Sequence, residues 1–304
     1  MVSDESLPHV EPLYRYRTVR QFTDDVDFFL KHYQPVGLSD LLAHISGGKD
    51  LPPRAFLLTF DDGFREMAEI VSPILKSKGV PAVFFINSAF VDNRELCRYQ
   101  KMALLVDLIT RKPSPALEKQ WGNLLKAKGL VEDEVIPMLR SVKYAQRSVL
   151  DEAAAVCGLD FAVFLSQQKP YLISDQIRGL LHDGFAIGGH SVDHPFYGDL
   201  PLTEQLRQTR ESVEFLCERF GVSQRAFAFP HSDAAVSSKF FERIFGDGTL
   251  QISFGTGGLV RNGPQKHFQR FSMEKTALRA QSIMAYQYAR RAIQDVTGRN
   301  TPGH

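Results

Sequence analysis

The stretch "AFLLTFDDG", residues 55–63, constrains this chain more than any other: five apolar positions between Ala55 and Phe60 run straight into two adjacent carboxylates and a glycine. An Asp-Gly pair between two strands is usual hairpin chemistry. Here the continuation is helical instead, because Met67, Ile70, Val71, Ile74 and Leu75 recur at steps of three and four and gather on one face. Gly79 is placed to stop that helix, and "VPAVFFIN" reads as a second buried strand. Strand, helix, strand is the βαβ unit of a parallel sheet, so Asp61 and Asp62 stand at a strand's carboxyl end.

The unit recurs. "SDQIRGLLHDG" reads as a helix capped by Ser174 and stopped by Gly184, followed by the strand "FAIGGH". A long amphipathic helix ends at Gly221. After it come a strand "AFAFP", a short helix "SSKFFERIF", strands "LQISFGTGG" and "KHFQRFSM", and a closing helix "TALRAQSIMAYQYARRAIQDV". Two more helices, "QFTDDVDFFLKHY" and "LSDLLAHI", precede the first strand. Between roughly residues 92 and 170 the strand signal disappears and helical segments replace it. We read residues 1–304 as one domain with a helical insertion at 92–170, and Trp121 as a core residue of that insertion. The insertion is expected to cap the mouth of the site.

Composition narrows the classes. With 36 basic and 35 acidic residues the formal net charge is +1, which gives no electrostatic case for nucleic acid. The three cysteines, Cys97, Cys157 and Cys217, are far apart and form no CxxC pair, so neither a disulfide framework nor a thiolate zinc site follows. The first residues carry acids and prolines and lack an apolar core, and no run of some eighteen apolar residues occurs. The expectation is a cytoplasmic protein without a transmembrane segment; association into a homo-oligomer is left open.

Ligands of parallel α/β sheets bind at the carboxyl ends of strands. Three such ends carry chemistry here: "TFDDG", "GGHSVDH" and "FPHSD". Adjacent carboxylates repel unless a cation or shared proton intervenes. His190 and His194 lie four apart at the second strand end, and two imidazoles with one carboxylate make the protein half of an open catalytic zinc-type site. His9, His32, His44 and His182 have no such company and read as ordinary histidines. "SFGTGG" lacks the spacing of a phosphate loop, so no nucleotide cofactor follows.

"TFDDG" and "HSVDH" resemble the first and second motifs of the polysaccharide deacetylase family (carbohydrate esterase family four, the NodB-like domain), and "FAFPHSD" is similar in position to its third. The resemblance implies an α/β fold, a distorted and incomplete (β/α) barrel of mostly parallel strands. It implies Asp61 as general base and Asp62, His190 and His194 as ligands of one divalent metal ion, zinc first, with cobalt, nickel, manganese and iron also suited. The third motif departs from the family's Arg-x-Pro-Tyr pattern: Ala228, Pro230 and His231 occupy those places. The base-orienting arginine is thus missing locally, and Arg270 on the last strand is its candidate replacement. His231 takes the tyrosine's place and joins Asp61 as a catalytic candidate. Pro230, Asp233 and Arg270 are candidates for substrate contact, Asp233 through a sugar hydroxyl or through His231. The family's late Leu-x-His motif has no clear counterpart; His267 is the one late histidine before His304 and reads as simply exposed.

The function implied is metal-dependent removal of an N-acetyl or similar acyl group from an amino sugar in a glycan or glycan precursor. Two alternatives stand beside it: a deformylase or small-amide hydrolase on the same fold, and a metal-free glycan-binding protein without catalysis.

Overall fold

The structure, a computed structural model, describes residues 1–259, 266–274 and 278–297. Helix α1 (Val19–His32) begins at a capping box in which Thr18 accepts from the Gln21 N–H and Gln21 returns the bond to the Thr18 N–H. The short β1 (Gln34–Pro35) and α2 (Leu38–Ile45) follow. The apolar run beginning at Ala55 does not form one strand. It divides at Leu57 into β2 (Ala55–Phe56), which pairs with β1, and β3 (Leu58–Phe60), which enters the main sheet.

A π-helical turn (Met67–Val71) leads into α3 (Ser72–Ser77), and Gly79, at φ +64°, turns the chain into β4 (Ala82–Ile86). Five helices then succeed one another: α4 (Arg98–Arg111), α5 (Pro115–Ala127), α6 (Val135–Ser141), α7 (Val149–Cys157) and α8 (Phe161–Gln168). The sequence pattern marks the first three and not the last two. Helix α9 (Ser174–His182) returns the chain to β5 (Ala186–Gly189), then α10 (Leu202–Phe220), β6 (Ala226–Ala228), α11 (Ser238–Gly246), β7 (Ile252–Gly255), β8 (His267–Gln269) and α12 (Ala280–Thr297). Ser174 opens α9 but does not cap it: the cap position is Ile173, and the Ser174 hydroxyl donates to Asp92 at 2.8 Å. Thr276 and Ala277, the start of the stretch read as the closing helix, and His304 lie outside the described residues.

The main sheet has six strands in the order β3-β4-β5-β6-β7-β8, every neighbouring pair parallel. Strand order equals chain order, so each crossover advances in one direction and the sheet curls into the open half-barrel expected from the sequence. Residues of β4 are buried throughout, as a central parallel strand covered on both faces must be. On one face Phe84 and Ile86 pack with Met67, Leu75 and Ile177; on the other Val83 and Phe85 pack with Ala228, Ile252 and Phe254. The helices α4–α8 bury an apolar cluster that Leu7, Val10 and Phe64 share, in which Trp121 is fully enclosed and donates Nε1–H to the Ala153 carbonyl at 2.8 Å. Among the described residues no helix is long and apolar enough to cross a membrane.

The curl requires a close approach at Gly188, where an added Cβ would lie 2.5 Å from Phe85 and 2.9 Å from the Ala226 carbonyl. Neither a packed ring nor backbone can yield cheaply. Gly188→Ala is therefore expected to destabilise the fold by about 1–3 kcal/mol, the usual range for overpacking, read as a lowered denaturant midpoint at unchanged slope.

Candidate active site

All six strands deliver a polar residue to the same end of the sheet. Asp61 and Asp62 follow β3, Asn87 follows β4, His190 follows β5, His231 lies three residues past β6, Thr256 follows β7, and Arg270 follows β8. Local backbone geometry marks that end too. Asp62, Ser191, His194 and His231 all adopt left-handed φ, between 60° and 77°, although none is glycine. Such conformations cost about 1–3 kcal/mol each and persist only where surrounding bonds fix them. Gly63 continues the left-handed turn at φ +71°, and a Cβ there would meet Ile86 at 3.0 Å.

The bonds that fix the histidine loop are visible. Asn87 donates through Nδ2 to the His190 carbonyl and to Ser191 Oγ at 3.3 Å. Ser191 Oγ accepts the His194 N–H at 3.0 Å, and Gln208 of α10 accepts the Val192 N–H at 2.9 Å. The Asp193 carboxylate, between the two histidines, accepts from Gln208 at 2.8 Å and from the Tyr144 hydroxyl at 2.5 Å.

This frame brings Asp62, His190 and His194 together, with one ligand atom from each lying within 4.8 Å of the others. Asp62 Oδ1 is 3.0 Å from His194 Nε2 and 3.5 Å from His190 Nε2. Donors around a tetrahedral zinc ion at usual bond lengths sit roughly 3.4 Å apart, so the spacing fits a divalent cation. His190 is also set to the right tautomer: its Nδ1–H donates to the Ala228 carbonyl at 2.8 Å, leaving Nε2 as a lone-pair donor. Burial disfavours charge on His190, yet the carboxylates of Asp61 and Asp62 outweigh it and raise its pKa. A cluster that draws protons onto imidazole in this way is one whose negative charge a cation would satisfy.

Asp61 does not join the ligand set. Arg270 grips it with both ends of the guanidinium, Nη1 to Oδ1 at 2.8 Å and Nη2 to Oδ2 at 2.9 Å, while Nη1 also donates to Thr59 Oγ1 at 2.8 Å. Burial alone would raise the Asp61 pKa; the charge of Arg270, then that of His190, overcomes it and holds the carboxyl below its usual value. Arg270 thus stands where the sequence left a base-orienting arginine unaccounted for, and its fork is turned to Asp61.

His231 is exposed. Its ring meets His194 edge-on at 4.6 Å, and Tyr99, from the first turn of α4, packs against both histidines at 4.7 and 5.7 Å. The insertion therefore contributes to the wall of the site.

Two expected substrate contacts are used differently. Pro230 is buried, and its carbonyl accepts the Ser232 N–H at 2.7 Å. Asp233 reaches neither His231 nor the cluster: Oδ1 accepts the Thr256 N–H at 3.0 Å, and Oδ2 accepts from His267 Nε2 at 2.9 Å and Gln269 Nε2 at 2.6 Å. Thr256 in turn donates its hydroxyl to the His231 carbonyl at 3.0 Å, so Asp233 ties the third loop to β7 and β8. His267 is not the exposed histidine expected but a buried one, with Ser253 Oγ at 2.7 Å from its other nitrogen. Asn87, Tyr99, Tyr144 and Gln208 were not foreseen. Asn87 alone carried a signal, as the polar residue closing "AVFFI"; the others arrive from helices whose pattern says nothing about their destination.

Comparison with known proteins agrees with this geometry. The family model described as polysaccharide deacetylase matches residues 48–241. Over 60 residues the chain is 42% identical to the poly-beta-1,6-N-acetyl-D-glucosamine N-deacetylase of Escherichia coli K12, a match spanning 20% of this chain and only 9% of that protein. Similar folds include a Streptococcus pyogenes deacetylase, PplD, in complex with acetate (TM-score 0.59, 11% identity, 94% of each chain). Another is IcaB from Ammonifex degensii (TM-score 0.57, 16% identity, 89% of each chain). At such identities they show the fold alone.

The Asp233 network makes a prediction about stability. Burial opposes ionisation, but the bonds from His267, Gln269 and Thr256 prevail and depress the folded pKa well below the unfolded value. The stabilisation is then present above pH ~4, the unfolded carboxyl value, and is lost as pH falls through the folded pKa. Asp233→Asn is expected to cost about 1–3 kcal/mol near neutrality, with the gap to wild type narrowing below pH ~4 in acid-dependent unfolding.

Proposed function

The chain belongs to the polysaccharide deacetylase family, and on that premise we propose that it is a metal-dependent hydrolase removing an N-acetyl group from an amino sugar within a glycan or glycan precursor. The observation that carries the reading is the division of labour at the first motif: Asp62 faces two imidazoles, while its neighbour Asp61 is held ionised by an arginine and stays out of the ligand set. A binding module has no use for that separation.

Asp62, His190 and His194 would hold one divalent ion, zinc being the first expectation. Bound there, such an ion polarises an acyl carbonyl and makes water more acidic. Asp61 takes the proton from the attacking water, and Arg270 fixes the direction of its carboxylate. The bond from His190 Nδ1 to Ala228 leaves Nε2 facing Asp62, where it would serve as a donor to the ion. We assign His231 to contact with the reacting amide, because its ring packs edge-on against His194. Cleavage of the C–N bond, with the proton taken by Asp61 passed to the leaving nitrogen, leaves a free amine on the sugar and releases acetate.

The test joins metal analysis to acetate release from N-acetylated sugars. Asp61→Asn is expected to retain one metal ion per chain and lose turnover by about a hundred- to ten-thousand-fold, the usual scale for a general base. Loss of metal with Asp61→Asn would mean that the two aspartates are misassigned. Less than stoichiometric metal in the wild type after reconstitution, together with glycan binding, would favour a non-catalytic protein. Chelation should abolish acetate release, and added zinc should restore it.

A further inference from the structure

Hydrolysis of an amide builds negative charge on the acyl oxygen, which calls for a preorganised hydrogen-bond donor, and no hydroxyl has been placed there so far. The structure brings one from the segment ahead of α1, outside the residues 48–241 matched by the family model. Residues 7–14 form a bonded turn: the Val10 carbonyl accepts the Leu13 N–H at 2.8 Å and the Tyr14 N–H at 3.3 Å. Tyr16 closes the segment, its hydroxyl accepting the Leu7 N–H at 3.2 Å and donating to the Glu5 carbonyl at 2.7 Å. Leu7 and Val10 are buried with Phe64, and the His9 ring lies 6.0 Å from the Phe64 ring. Phe64 is two residues past Asp62, so the turn is docked on the loop that carries both aspartates.

Tyr14 is where this turn reaches the site. Its ring is half-buried against the same apolar cluster. A phenol so placed usually finds a hydrogen-bond partner. Tyr16 does, and so does Tyr171, whose hydroxyl accepts the Cys97 N–H at 3.2 Å. The Tyr14 hydroxyl makes no bond among the described residues, yet it is not sealed off from solvent, which leaves its proton free for a ligand. Packing alone would be served as well by phenylalanine. Burial raises the Tyr14 pKa well above its ordinary value, and the charge of Asp62 is the next cause, followed by Glu274, Tyr171 and Asp61. The phenol thus lies in the field of both aspartates and remains protonated, a donor and not an anion.

We propose that Tyr14 is a catalytic residue whose hydroxyl donates a hydrogen bond to the acyl oxygen of the substrate as that oxygen becomes negative. The proton stays on the phenol throughout: the bond strengthens as water adds to the carbonyl and weakens when the carbonyl re-forms and the C–N bond breaks. This rests on the deacetylase reading, and the experiment keeps the two apart. Tyr14→Phe removes one oxygen atom and no bond within the protein. Acetate release from N-acetylglucosamine and from its β-1,6-linked trimer is measured with zinc-loaded wild type and variant. Metal content, the denaturant midpoint and calorimetric binding of acetate are measured beside it.

Tyr14→Phe is expected to lower kcat about a hundredfold, the usual loss for one donor to an oxyanion, while KM changes by less than about twofold. It should retain one metal ion per chain and the wild-type denaturant midpoint, because the hydroxyl has no partner in the protein to lose. Unchanged kcat would overturn the inference. So would a fall in kcat accompanied by lost metal or a lowered midpoint, since the hydroxyl would then act on the ligand set or the fold. Zinc-loaded wild type that releases no acetate from either sugar would overturn the hydrolase reading instead. Acetate binding would then decide the role of Tyr14, because a carboxylate presents the same anionic oxygen. An affinity about tenfold weaker in the variant, the worth of one hydrogen bond to a charged group, supports it; equal or absent binding defeats it.

Discussion

The bidentate pair between Arg270 and Asp61 is the interaction on which the site depends. The sheet is open, with β3 at one edge and β8 at the other, so no ladder of backbone bonds fixes one edge against the other. Arg270, leaving β8, reaches Thr59 and Asp61 on the far edge, with its guanidinium over Phe85 and Phe254 at 5.3 and 5.9 Å. A fork of fixed geometry, flanked by aromatic rings, sets distance and orientation at once. It also neutralises one of two adjacent carboxylates, leaving the other to the imidazoles. Without it Asp61 and Asp62 would compete for whatever positive charge arrived.

Around that pair the chain accepts backbone conformations it would otherwise avoid. Left-handed residues appear in all three loops, at Asp62, at Ser191 and His194, and at His231. Bonds from other parts of the chain hold each loop: Leu172 donates to the Gly63 carbonyl in the first, Asn87 beyond β4 and Gln208 on α10 fix the second, and Thr256 beyond β7 fixes the third. The local strain and the long-range bonds are therefore one arrangement. A loop that relaxed by itself would turn its imidazole or carboxylate away, and the converging ligand set would be lost.

Much of this was legible in the residues. The switch from apolar run to helical period after Phe60 specified the βαβ unit, and the i, i+4 histidines at a strand end marked the place where Asp62, His190 and His194 converge. The division of the first strand at Leu57 was not legible, because nothing in "AFLLTF" distinguishes pairing with β1 from pairing with β4. Asp233 was misread for a related reason. A carboxylate in a loop looks the same whether it faces a ligand or three donors from other strands, and only the fold brings His267 and Gln269 to it. His267 followed it into the interior. Arg270 was foreseen as a substitute because its position at the last strand's end was readable, although its partner lies 209 residues away.

The neck of the insertion has a consequence for how such a protein changes over evolutionary time. Asn93 and Tyr171 exchange two hydrogen bonds, at 2.9 and 3.1 Å, and the Asp92 carboxylate receives both the backbone N–H and the hydroxyl of Ser174. The chain thus leaves the barrel and returns to it at one stapled point, between the strand that ends at Ile86 and the one that delivers His190. Everything threaded beyond that staple packs in one cluster, which Leu7, Val10 and Phe64 enter from outside the insertion. Mutations far from Tyr99 and Tyr144, which touch the histidine loop, can be sampled there without shifting the register of the strands. The outer helices and the strands that carry Asp62, His190 and His194 are then free to change at different rates.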